Sequence, residues 1–87
     1  MGSYEVRFRA SVRKDLKRIP KADVVRIMER IAALAEDPRP PGTERLSTRE
    51  RYRIRQGDYR IVYEVEDRVV TVWVVKVGHR RDVYRST

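Results

Sequence analysis

The stretch RYRIRQGDYRIVYEVE at residues 51–66 decides the fold, because apolar and charged side chains alternate on both sides of a turn signal. Alternation with a period of two predicts strands that each bury one face, here over residues 51–56 and 59–66. Between them, Gln56-Gly57-Asp58 combines a glycine with an aspartate, which favours a tight connection. The stretch therefore predicts a β-hairpin.

This hairpin brings arginines together. Because neighbouring residues of a strand point to opposite faces, Arg53 and Arg55 share the face that the apolar residues leave. Pairing around the turn puts Arg60 on the same face, so we predict that the three arginines converge. Such like charges on adjacent strands repel one another unless a polyanion or carboxylates relieve them. Glu64 and Glu66 lie on the same predicted face and offer some relief.

Outward from the hairpin, the chain predicts one further strand and three N-terminal elements. Pro20 divides two stretches with helical spacing of apolar residues. The predicted elements are a strand at Tyr4–Phe8, helices at Ser11–Ile19 and Lys21–Ala35, a loop at Glu36–Thr48 and a third strand at Val69–Val77 after a turn at Glu66-Asp67-Arg68. The order predicts one α+β domain over residues 1–87: an N-terminal strand, a helical hairpin, a three-stranded antiparallel meander and a short basic C-terminal segment.

Three groups of side chains are expected in the core. The third strand is apolar on both faces, which is typical of a strand covered on each side, and we expect Trp73 to be buried in it. The tyrosines that alternate with the arginines are also expected to pack inward. The second helix carries an apolar stripe of Val24, Ile27, Met28, Ile31, Leu34 and Ala35.

The charge favours an anionic partner. The 87 residues carry a net charge of +8, and 17 of the 21 basic residues are arginine. A guanidinium holds two phosphate oxygens at once, whereas a lysine acts as a point charge. Charge alone does not separate a polyanion-binding face from a solvated basic surface.

Several classes of site find no support in the residues. The chain has no cysteine, which excludes disulfides and thiolate metal sites and is compatible with the cytoplasm, where we expect the protein. It has one histidine, and its carboxylates lack ligand spacing, so we expect neither metal nor cofactor. The longest apolar run is too short to span a bilayer, and no signal peptide is visible, so no membrane partner is expected.

The C-terminal segment Val77-Gly-His-Arg-Arg-Asp-Val-Tyr-Arg85 adds arginines, the histidine and a tyrosine just beyond the last predicted strand. Together with Tyr-Arg-Ile-Arg-x-Gly-Asp-Tyr-Arg-Ile-Val-Tyr at 52–63, it resembles the RelE branch of the RelE/ParE toxins. The order and length of the elements agree over nearly the whole chain. The resemblance implies a microbial ribonuclease-type fold and the toxin of a type II toxin–antitoxin system, a metal-independent endoribonuclease that cuts mRNA in the ribosomal A site.

The resemblance also implies roles for residues. Arg53 and Arg55 fall where the family has basic residues, often lysines, along the mRNA backbone, with Arg55 also expected to stabilise charge in catalysis. Arg60 and Arg80 fall at catalytic arginine positions, and Tyr84 at a C-terminal tyrosine. We add Arg81 and Arg85 to the expected RNA contacts. The resemblance implies as partners a RelB-like antitoxin, mRNA in the A site, and operator DNA reached only through the antitoxin complex.

RNA itself supplies part of the chemistry of its cleavage, whatever protein binds it. RNA carries its own nucleophile, the 2′-hydroxyl next to the scissile phosphate. A protein has to align it in line, stabilise charge on the phosphorane and move two protons. Arginines suit the charge, a tyrosine suits stacking or proton transfer, and His79 is a candidate general base, although a single histidine is often structural.

Two rival functions stay open at this point. A ParE-like toxin of the same fold acts on DNA gyrase and does not cut RNA. A non-catalytic nucleic-acid-binding module binds RNA or DNA with a strong salt dependence and leaves the message intact.

Overall fold

A computed structural model describes residues 3–46 and 50–79. They form a mixed five-stranded sheet with two helices on one face, which confirms the predicted α+β class, helical hairpin and antiparallel meander. Strand β1 runs parallel to β5, and the other neighbours are antiparallel, in the order β1-β5-β4-β3-β2. The elements are β1 (Glu5–Phe8), α1 (Ala10–Lys17), α2 (Lys21–Glu36), β2 (Glu44–Arg45), β3 (Arg51–Gln56), β4 (Tyr59–Glu66), a short 3-10 helix (Asp67–Val69) and β5 (Thr71–His79).

The β3–β4 hairpin forms as the alternation predicts. Two residues connect the strands, and Gly57 has a φ of +61°, a left-handed conformation that costs little without a Cβ. The register pairs Tyr52 with Tyr63 and Ile54 with Ile61, all facing the helices. The hairpin thus buries its apolar residues on one face and presents its charged residues on the other.

The core lies between the helices and this inner face of the sheet. Its fully buried side chains include Ile27, Ile31 and Leu34 of α2 and Val12 of α1. The strands contribute Tyr52, Ile54, Ile61, Tyr63, Val65, Val72, Val74 and Val77. Truncation of a buried leucine such as Leu34 to alanine costs about 2–5 kcal/mol, so this interface holds the fold together.

Some element boundaries differ from the sequence prediction for local reasons. Helix α1 ends at Lys17, because Pro20 disfavours helical backbone in the residue before it and the last turn tightens to Ile19 N–H donating to the Leu16 carbonyl. Strand β5 begins at Thr71 rather than Val69, because residues 67–69 form the 3-10 turn and Val70 has a φ of +50°. The predicted burial of Met28 is wrong, since 38% of it is exposed.

A β-bulge changes the phase of β5. Val62 pairs with Lys76 whereas the next residue, Tyr63, pairs with Val74, so Val75 is an extra residue in β5. Strict alternation would have placed Lys76 among the core valines. After the bulge it pairs with Val62 on the outer face.

The prediction that β5 is covered on both sides is wrong for the described residues. In those ranges both helices pack on the inner face, and Trp73 lies on the outer face, half-buried. Its ring is flanked by Arg9 and Arg7, whose guanidinium carbons lie 4.4 Å and 5.8 Å from ring centroids. Trp73 is therefore a surface aromatic. Across the same ranges no helix is both long and apolar enough to cross a membrane.

Arg39 fastens the proline-rich loop to the sheet. Its Nη2 lies 2.8 Å from a Glu50 oxygen and 2.9 Å from an Asp67 oxygen, and its Nε donates to the Tyr52 hydroxyl at 2.8 Å. The Arg39 and Tyr4 hydrogen bonds lower the pKa of Asp67, and those from Tyr52 and Arg39 lower the pKa of Glu50. We call these five residues the Arg39 cluster.

Candidate nucleic-acid interface

The outer face of the sheet carries the predicted arginines. Arg55 pairs with Arg60 across the β3–β4 hairpin, and Arg53 pairs with Val62 one step further along. Arg55 is exposed, whereas Arg60 is 8% exposed and the Arg53 side chain 11%. The prediction that these three arginines share one face is confirmed, while their roles stay predictions.

At one end of this face, carboxylates pair with several arginines. Two nitrogens of Arg51 donate to one oxygen of Glu64, at 2.7 Å and 3.1 Å, and Arg9 lies 3.6 Å from the other oxygen. Arg7 pairs with Glu5 on β1. We call the residues around Trp73, namely Glu5, Arg7, Arg9, Arg51 and Glu64, the paired end of the outer face. The predicted relief by Glu64 is thus directed to Arg51 and Arg9.

The opposite end collects positive charge. Arg55, Arg60 and Lys76 lie there on three adjacent strands, and we call them the cationic end. Arg53, one step further along β3, is paired to Glu44 of β2 at 3.1 Å. Residues directly opposite on adjacent strands have Cβ atoms about 5 Å apart, so Arg55 and Arg60 repel each other. An anion with several oxygens relieves that repulsion.

Gly78 of β5 lies beside Arg60. It pairs with Arg60 on the β5 side, so no side chain rises from β5 at that position. On the β3 side, Arg55 is oriented by a hydrogen bond from its Nε to the Gly57 carbonyl at 3.1 Å. Arg60 is held by burial and Arg55 by the turn, so both guanidinium groups are positioned before a ligand binds.

His79 lies on the other face. It pairs with Tyr59, whose ring it meets edge to face at 5.9 Å between centroids, in a crevice shared with Asp15 and Arg18. The Asp15 carboxylate accepts the Val77 N–H at 3.1 Å and ties this end of β5 to α1. The structure therefore does not bring the His79 ring to the arginines, and the sheet backbone separates it from a phosphate bound there.

Four predicted site residues lie outside the described residues: Arg80, Arg81, Tyr84 and Arg85. They follow directly after His79, where β5 ends beside Arg60 and Gly78. Their assigned roles stay predictions.

Sequence reasoning missed Lys76 as a member of the cationic end. The signal was a single lysine in an otherwise apolar strand, which counts against two buried faces. Across the described residues, no three His, Cys, Asp or Glu side chains are grouped as a metal ion would require.

A second surface lies on the helical hairpin. Phe8, Val25 and Met28 are 40%, 59% and 38% exposed. They line two adjoining grooves that share Leu16, and the basic residues beside them are Arg9, Arg13, Lys17 and Lys21. The surface combines an apolar floor with a basic rim.

Known proteins share this sequence pattern and fold. A family model described as the ParE toxin of the type II toxin–antitoxin system parDE matches residues 6–84. Toxin RelG of Mycobacterium tuberculosis is 32% identical over 94% of this chain and 97% of its own length. The RelBE2 toxin–antitoxin complex of the same organism superposes with a TM-score of 0.79 at 28% identity, covering 90% of this chain and 99% of the matched one. An archaeal RelE–RelB complex from Pyrococcus horikoshii gives 0.78 at 28% identity, covering 90% and 96%.

Proposed function

Because this chain belongs to the ParE toxin family of type II toxin–antitoxin systems and is RelE-like in sequence and fold, we propose that it is a metal-independent endoribonuclease. Its substrate is mRNA in the A site of the ribosome, and cleavage stops translation in the cytoplasm. The observation that carries the proposal is the Arg55–Arg60 pair on the outer face of the sheet, with Lys76 beside it.

The arginines act on charge in the proposed reaction. The 2′-hydroxyl attacks the adjacent phosphorus, the bond to the 5′-oxygen breaks, and a 2′,3′-cyclic phosphate and a 5′-hydroxyl remain. Negative charge grows on the phosphorane oxygens, and Arg55 and Arg60 stabilise it because they are positioned before the substrate arrives. Arg80 adds a third guanidinium, and Arg53, Arg81 and Arg85 hold the backbone on either side.

Proton transfer needs other groups, because a guanidinium stays protonated in proteins. Tyr84 is the proposed side chain for moving a proton or stacking on a base. His79 lies on the helix side of β5, so the proposal gives it no direct step. If His79→Ala abolishes cleavage while the unfolding curve is unchanged, this part of the proposal is wrong.

The proposed partner is a RelB-like antitoxin whose amphipathic, acidic segment covers the grooves at Phe8, Leu16 and Val25. The apolar floor fits one face of a helix, and the basic rim fits carboxylates on its flanks. The antitoxin also carries the complex to operator DNA. Val25→Glu should weaken neutralisation by the co-expressed adjacent reading frame. Ala33→Glu, which introduces the same carboxylate at an exposed position of α2 outside both grooves, should leave neutralisation intact.

The matched family is named for ParE, so a ParE-like toxin that acts on gyrase is the alternative function. The following assays distinguish the two functions. The test is primer extension on a message bound to programmed ribosomes, with the wild type beside Arg60→Ala and Arg80→Ala. A discrete A-site cut that both variants lose supports the proposal. Inhibition of gyrase supercoiling without a cut supports the ParE-like alternative, and binding without a cut supports a non-catalytic module.

A further inference from the structure

Trp73 is the only tryptophan of the chain, and its position on the outer face is not explained by the core. The described helices pack on the inner face, yet the outer face carries this large, half-buried aromatic between Arg7 of β1 and Glu64 of β4. A shallow pocket beside it is lined by Thr71 and Glu66 as well as Arg7. The aromatic therefore lies on the same sheet face as the cationic end.

The guanidinium group of Arg9 lies over the ring of Trp73. The Arg9 guanidinium carbon lies 4.4 Å from a ring centroid of Trp73, and half of the Arg9 side chain is exposed. Arg9 is also held from the side by Glu64 at 3.6 Å. Aromatic rings and guanidinium planes are the two surfaces on which proteins stack unpaired bases. Here one lies on the other, positioned by a carboxylate.

The charges at this end favour a base over a phosphate. Three arginines there, Arg7, Arg9 and Arg51, lie with three carboxylates, those of Glu5, Glu64 and Glu66. The charges balance, so a phosphate gains little net attraction. A neutral planar base does not depend on net positive charge, and it can stack on Arg9 and Trp73. The carboxylate of Glu66 on the pocket rim is an acceptor for an exocyclic amino group, which adenine, cytosine and guanine have and which thymine and uracil lack.

We propose that Arg9 and Trp73 form a stacking subsite for a base of the bound nucleic acid strand, with a preference for adenine over thymine or uracil. The inference rests on the proposed function, because it assumes that the strand crosses the cationic end. Trp73 lies five residues before Gly78 on β5, about 15 Å at the usual rise per residue, so the stacked base lies beyond the immediate neighbours of the scissile phosphate.

The emission of Trp73 reports on this site directly. The probes are an all-adenine deoxyhexanucleotide, which lacks the 2′-hydroxyl and cannot be cut, its all-thymine counterpart, and inorganic polyphosphate of matched charge. We expect the adenine strand to quench Trp73 more than the thymine strand, and polyphosphate to bind without quenching. Arg9→Ala should weaken binding of the labelled adenine strand about tenfold in fluorescence anisotropy, as loss of one stacking layer predicts.

Arg26→Ala removes the same charge from an exposed position of α2 and should weaken binding far less. Trp73→Phe, which keeps a ring, should bind better than Trp73→Leu. An adenine strand that does not bind, or that binds without quenching Trp73, overturns the subsite. Cleavage on programmed ribosomes is measured separately with the wild type, so a failed subsite is distinguishable from a failed ribonuclease proposal.

Discussion

Arginines at two places in this protein have different electrostatic surroundings. Arg39 lies among Glu50 and Asp67 and donates to the Tyr52 hydroxyl, so its charge is matched by carboxylates around it. Arg55 and Arg60 instead face each other across a hairpin, on a part of the sheet face where the described strands place Lys76 nearby.

The contrast separates stabilisation from binding. A matched arginine holds two segments together, here the proline-rich loop and the sheet. Like charges on directly opposite residues repel each other, and an anionic ligand bound between them relieves that repulsion. Removing each arginine should therefore have opposite consequences for activity and stability.

The largest effect is expected at the cationic end. Arg60→Gln should lower the rate of A-site cleavage by about 10²–10³-fold, the usual cost of removing one positioned donor to a transition-state charge. The free energy of unfolding should change by about 1 kcal/mol or less, because relief of repulsion from Arg55 offsets lost packing. Cleavage on programmed ribosomes and urea unfolding measure the two quantities.

Arg68→Gln is the matched control, since it removes the same charge from an exposed residue of the 3-10 turn. It should cleave like the wild type. Arg60→Gln cleaving at the wild-type rate would mean that the cationic end is not the site.

A substitution in the Arg39 cluster should lower the free energy of unfolding and leave the cleavage rate unchanged, the reverse of Arg60→Gln. Arg39→Met keeps the aliphatic stem and removes the donors to Glu50 and Asp67. With 37% of the side chain exposed, solvent screening reduces the expected loss of unfolding free energy to about 1–2 kcal/mol. Cleavage per folded molecule should be unchanged. A stable but inactive Arg39→Met protein would contradict the division between the two groups.

The smallest effect is the response of the Arg39 cluster to acid. Folding lowers the pKa of Asp67 and Glu50, so their contribution is complete above the ordinary carboxyl range and declines as the pH falls through it. Asp67→Asn should therefore lose less stability than the wild type between neutral and acidic pH in urea unfolding. Glu29→Gln, at an exposed position of α2, provides the control. Parallel acid profiles for wild type and Asp67→Asn would exclude this contribution.

Local pattern predicted much of this molecule. Period-two alternation was sufficient to place Arg53, Arg55 and Arg60 on one face, because all three lie in the same hairpin, which has a short turn. It failed in β5, where the bulge at Val75 inverts the phase and sends Lys76 outward. No local sequence rule shows which residue of an apolar strand will be skipped by its partner.

Contacts between residues far apart in the chain were the other feature that the sequence did not predict. Arg39 meets Asp67 across 28 positions, and Tyr63 donates to the Pro38 carbonyl at 2.7 Å across 25 positions. Such contacts depend on how the loop packs on the sheet. The placement of Trp73 was missed because an apolar neighbourhood in sequence does not distinguish a core from a face shielded by Arg7 and Arg9.

The most direct test of the central claim uses two messages on programmed ribosomes that differ at one atom. One is all RNA, and the other has a single 2′-deoxynucleotide that removes the attacking hydroxyl at the A-site cut. The account predicts a discrete cut with a 5′-hydroxyl end in the first message and none in the second. Equal cutting of both messages, or no cut in either by the wild type, would contradict it.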